Sequence, residues 1–132
     1  MENIFQTQNP VLAAFHREAD DIQAYMILPL TLEDPASLTY RLSDLNVYLA
    51  RLSDIMSRSK AIRDFEKNNF VAQNEEKINK MTATASNRLI STHLYEYSAA
   101  YDRFETMYHT LEVLVKTLIT QISFIKSQMN LV

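Results

Sequence analysis

The chain has 132 residues, 47% apolar and 22% charged, with a formal net charge of −3, long enough for one packed domain. It contains no Gly, Cys or Trp. Missing glycines argue against a phosphate-cradling loop or a dinucleotide fold; missing cysteines leave no disulfide frame, thiol nucleophile or Cys-based zinc site, which fits a reducing compartment.

The opening MENIFQTQNPVLAAF has no basic segment followed by an apolar run, so no signal peptide is expected. No stretch approaches the ~18 apolar residues of a membrane span, and the expected location is cytoplasmic. Asn9-Pro10 reads as an N-cap with proline in the first helical position. Leu12, Phe15, Ala19, Ile22 and Met26 then recur at three and four residues, one stripe of an amphipathic helix over about 10–28, which Pro29 ends. Asp34-Pro35 repeats the cap-and-proline signal. From there Leu38, Leu42, Leu45, Leu49, Leu52 and Met56 form a second ladder, in a helix over about 35–67. Its next rungs, Ser59 and Arg63, are polar, so the buried face is expected to rotate onto Ile55, Ile62 and Phe65.

Residues 68–83 are weakly periodic and read as a joint, with Thr82 or Thr84 available to cap the next helix. That final helix, about 84–130, carries the clearest pattern. Ile90, Leu94, Tyr97, Tyr101, Phe104, Tyr108, Leu111, Val115, Leu118, Ile122, Ile125 and Met129 keep four–three spacing without a proline. A 3.5-residue period held this long favours supercoiling against partner helices. The expected fold is one all-α domain over 1–132, a long antiparallel, coiled-coil-like helical hairpin. The N-terminal helix is expected across one end. Because the last helix outreaches its partner in this reading, Tyr101, Phe104, Tyr108, Leu111, Val115, Leu118, Ile122, Ile125 and Met129 are assigned to a homo-oligomer interface. The alternative is a monomeric three-helix bundle.

Charge is uneven along the chain. Residues 1–50 carry two bases and seven acids, residues 51–88 eight bases and five acids, and residues 89–132 three bases and four acids. An anionic partner is therefore expected to meet the middle third, through Arg58, Lys60, Arg63, Lys67, Lys77, Lys80 and Arg88. The bland reading is a solvated face on which interspersed Asp54, Asp64, Glu66, Glu75 and Glu76 pair with these bases. Glu105, His109 and Glu112, with His93 and Glu96, have metal-ligand spacing, but aromatic residues hold the inward positions. They read as a helix flank with i,i+4 pairs, and no metal or cofactor is expected. No Gly-bearing nucleophile elbow occurs, and no enzyme activity is expected. Tyr97, Tyr101 and Tyr108 read as half-buried rings, and Tyr95 as the one exposed ring suited to base stacking.

The second half, KMTATASNRLISTHLYEYSAAYDRFETMYHTLEVLVKTLITQISFIKSQMN, opens its helix on Lys80-Met81-Thr82 and closes on Leu118 to Lys126 around Ile122, Ser123 and Phe124. In these features it resembles short helical proteins of tailed phages, and in organisation phage recombination mediators. The resemblance implies a non-enzymatic oligomer in the host cytoplasm, an accessory of DNA recombination or replication that binds single-stranded DNA, a recombinase, or both. The other reading is a protein-only adaptor or inhibitor that docks on a host or phage protein.

Overall fold

A computed structural model describes residues 7–29 and 34–130. Among these residues the chain is all-α, with helices α1 (Pro10–Met26), α2 (Pro35–Gln73), α3 (Glu75–Asn79), α4 (Ala83–His93) and α5 (Tyr95–Asn130). None is long and apolar enough to cross a membrane. Residues 30–33 of the connector, and the first six of the chain, lie outside the described residues.

The cap signals act as the chemistry of their side chains dictates. Asn9 Oδ1 accepts from the Val11 and Leu12 amides at 3.0 and 3.1 Å. Asp34 Oδ1 accepts from Ala36 N at 3.1 Å, and Thr82 Oγ1 accepts from Ala85 N at 3.1 Å. Each cap satisfies amides that a first turn leaves without helical partners. α2 runs to Gln73, beyond the end expected near residue 67. Asn74 then interrupts it, with its side-chain amide donating to Phe70 O at 2.8 Å. The joint is thus largely helical, and the reversal is confined to residues 80–82. α4 and α5 are nearly one rod, because Leu94 N donates to Ile90 O (3.0 Å) and Ser98 N to Leu94 O (2.9 Å) across the irregularity.

Side-chain pairs define how the helices lie. Phe70 stacks on His93, Arg63 sits over the Tyr101 ring, and Leu45 shares a crevice with Leu114 and Leu118. Rising numbers on α2 meet falling numbers on α4–α5, so the pairing is antiparallel. α1 does not cross one end as expected. It lies lengthwise, antiparallel to α2 through Glu18–Arg51 (2.7 Å) and Tyr25–Asp44 (2.7 Å). Against α5 it is parallel, from Thr7–Glu96 (2.8 Å) through Phe15–Phe104 to Met26 beside Leu114. Phe104, Leu12, Ile22, Leu38, Leu52, Ile55 and Leu111 fill the core where the three helices meet. α2 reaches far enough to accompany α5 along most of its length, so the last helix does not outreach its partner as expected.

The expected rotation of α2's buried face occurs only in part, with Ile55 buried and Ile62 half-buried against the core. Phe65 is 68% exposed, whereas Ser59 is fully buried and Arg63 lies half-buried on Tyr101. A serine is small enough to continue a ladder against Phe104-sized neighbours, and an arginine can lay its planar head on an aromatic face. Ser59 Oγ has no hydrogen-bond partner among the described residues. A buried hydroxyl left unpaired costs about 1–3 kcal/mol. Ser59→Ala is therefore expected to raise the urea midpoint, by about 1 kcal/mol of stability, while Ser59→Leu lowers it by overpacking.

Candidate anion-binding and assembly surfaces

The seven cations predicted to meet an anion fall on separate faces. Lys60 and Lys67, seven residues apart on α2, share one exposed flank. Arg58 is two residues from Lys60, hence roughly 200° around the helix, and its Nε bonds Asp54 at 3.2 Å. Arg51, one heptad before Arg58, is held by Glu18 and Asp54, and the bond to Glu18 raises its guanidinium pKa further. Arg63 is spent on the Tyr101 ring, 4.7 Å from its centroid, with Asp64 at 3.5 Å. Lys77 and Lys80 line an open hollow of ≈ 600 Å³ that also contains Glu75 and Glu76. Arg88 is exposed on α4, and Tyr95, seven residues on, is exposed at the start of α5. Lys60, Lys67, Lys77, Lys80 and Arg88 are thus open to solvent; Arg58 is exposed too but paired with Asp54, and Arg63 is half-buried on Tyr101.

The nine residues predicted for an oligomer interface also divide. Phe104, Leu111, Val115, Leu118 and Ile122 are buried in the chain's own core, against α1 and α2. Tyr101, Tyr108 and Ile125 are half-buried at its edge, and Met129 is 62% exposed. The strongest apolar ladder of a chain that packs on itself is used first inside the chain, and for Phe104, Leu111, Val115, Leu118 and Ile122 this corrects the assignment to another subunit. Outside these nine, exposed apolar side chains of α5 include Val113, Ile119 and Phe124.

Two polar clusters escaped the sequence reading. Arg41 Nη2 donates to the carbonyls of Tyr25 (2.8 Å) and Leu28 (3.0 Å), closing the C-terminus of α1, while its guanidinium lies over the Tyr25 ring. Burial, and then the hydrogen bond to Asp44, push the Tyr25 hydroxyl up. Arg103, deep on α5, donates to His16 Nδ1 at 2.9 Å and to Asp20. His16 is pushed below its ordinary value, first by burial and then by Arg103, with Asp20 pulling the other way. The partners stand more than 80 positions apart in the chain, and no local spacing announces them. His109 and Glu105, 3.8 Å apart, lie on the exposed flank of α5. Among the described residues no three His, Cys, Asp or Glu side chains gather as a metal site would require.

Compared with known proteins, the chain matches no family model, no curated protein and no solved structure.

Proposed function

We propose that this chain is a non-enzymatic helical protein that works by assembly, as an oligomeric accessory of phage DNA recombination or replication in the host cytoplasm. In this reading the α2–α5 pair is a coiled-coil-like hairpin that presents docking surfaces. The observation that carries assembly is exposed apolar side chains at one end of α5. Toward the C-terminal end of α5, Ile119, Phe124 and Met129 stand 47, 63 and 62% exposed within eleven residues, on more than one face of the helix. Such a concentration of large apolar groups at one end favours a protein partner. The recombination role rests on the likeness at Lys80-Met81-Thr82 and Leu118–Lys126.

Single-stranded DNA is the second arm of the proposal, supported by five open cations, Lys60, Lys67, Lys77, Lys80 and Arg88, with Tyr95 as a stacking ring. Their spread over several faces supports a protein-only adaptor equally, because a single copy offers no continuous track; an oligomer would bring patches from several copies together. Solution mass, measured with and without a single-stranded oligonucleotide at low and high salt, separates these readings. The expected result is an oligomer that binds DNA, with log affinity falling against log salt by about 0.7 per phosphate contacted. Lys60→Glu with Lys67→Glu should weaken that binding without altering the mass. Absence of binding at low salt would remove DNA and leave the adaptor.

A further inference from the structure

We propose that the outer face of α5 is a self-docking seam, on which a second copy of this chain lays its own α5. The proposal rests on the assembly reading above and gives it a face. Thr106, Thr110, Val113, Thr117, Thr120 and Phe124 alternate spacings of four and three residues, and all six are exposed. Val113 lies two residues from both Leu111 and Val115, which puts the stripe's centre on the side of α5 away from the core, while Thr106 and Thr117 also border crevices shared with Gln23 and Met26 of α1. α5 therefore carries two 3.5-residue registers, and its own chain fills one.

The composition of the stripe makes little sense for a face that stays wet. Threonine, valine and phenylalanine are weaker helix formers than the Glu, Lys and Gln that suit exposed helical positions. Two of the hydroxyls are also turned inward. Thr110 Oγ1 donates to Thr106 O at 2.9 Å and Thr120 Oγ1 to Lys116 O at 3.1 Å. That leaves a methyl as the group an approaching surface meets. Next to them Thr120, Gln121, Phe124 and Ile125 border a shallow, mainly apolar hollow of ≈ 410 Å³ that a facing side chain can enter.

Charge and length identify the occupant. The positions bordering the stripe are Met107, Leu114 and Gln121 on one side and His109, Lys116 and Ser123 on the other. Lys116 is the one permanent charge among them, and Glu112 sits 3.7 Å from it. Two identical faces can therefore meet without opposing like charges, although each chain carries −3. A two-fold dimer demands this self-complementarity, and a 3.5-residue register demands a helix of the same period, which a second α5 supplies. The stripe with its next rung spans about three heptads, roughly 33 Å. Covering a third of a helix's circumference over that length removes about 500 Å² per copy, a total at the ~1,000 Å² lower bound for a specific interface.

The chain has no cysteine, so Val113→Cys and Thr117→Cys each introduce a single thiol. Full-length protein carrying either one, or a mixture of the two, should give covalent dimers with a short bismaleimide. Asn69→Cys, exposed on α2, should not. Thr117→Glu with Phe124→Glu should reduce the solution mass to that of one chain, 15.3 kDa, with helical circular dichroism unchanged. A wild-type protein that is monomeric at every concentration overturns the seam and the assembly reading together. An oligomer whose seam thiols stay uncrosslinked, or which survives the double substitution, overturns the seam alone.

Discussion

Phe104→Ala is expected to destabilise the protein by about 3–5 kcal/mol, a large part of the 5–15 kcal/mol typical of a domain. Phe104 is fully buried and is the largest such side chain. It meets Phe15 edge-on at 6.4 Å between centroids and His16 at 5.0 Å, so it joins α5 to α1 as well as filling the core. Removing the ring takes away its transfer free energy, opens a cavity, and strips α1 of the ring contacts at Phe15 and His16. Urea unfolding followed by circular dichroism should show the midpoint fall, and amides of α1 should lose exchange protection before those of α2. Phe124→Ala is the matched control. Its ring is 63% exposed, and the loss should stay within about 0.5 kcal/mol for a single copy.

The second large effect is expected at Arg103, whose side chain is only 9% exposed and which bonds His16 and Asp20. Arg103→Met keeps much of the packing volume and removes the donors. With hydrogen bonds to charged groups contributing roughly 1.5–3 kcal/mol, the expected loss is about 2 kcal/mol, again read in α1. Arg103 donates to Nδ1, so the folded state needs His16 neutral. The folded-state pKa therefore lies below the ordinary 6.5. On acidification the unfolded chain takes up this proton first, and stability falls as pH drops from about 6.5 toward the folded value. Above 6.5 this contribution is fully present. His16→Gln should flatten that part of the pH profile, and stability measured from pH 7.5 to 5 in both proteins checks it. A wild-type curve parallel to that of His16→Gln across this range would show that the imidazole has no such role.

Much of the local structure was readable residue by residue. Asn9-Pro10 and Asp34-Pro35 start helices because a short side-chain acceptor and a fixed φ act within one turn. Leu12, Phe15, Ala19 and Ile22 are buried as their spacing required. The candidate surfaces were less legible. Lys60 and Arg58 look adjacent in a basic segment, yet helical rotation sends them to opposite sides and Asp54 holds one of them. The stripe Thr106–Phe124 is written in the chain as plainly as the core ladder, but the stronger ladder beside it masks the weaker one.

Periodicity, caps and the absence of glycine were sufficient by themselves to establish an all-α chain and the positions of its long helices, because those signals act between residues at most a few positions apart. Which ladder faces its own chain and which faces outward was decided by the tertiary structure alone. That choice depends on how far α2 extends and on which side α1 settles, and α1 is held there by Phe104, Arg103 and Arg41 across long separations in sequence. A helix pattern specifies that a face prefers burial; only the competition among all the faces determines what buries it.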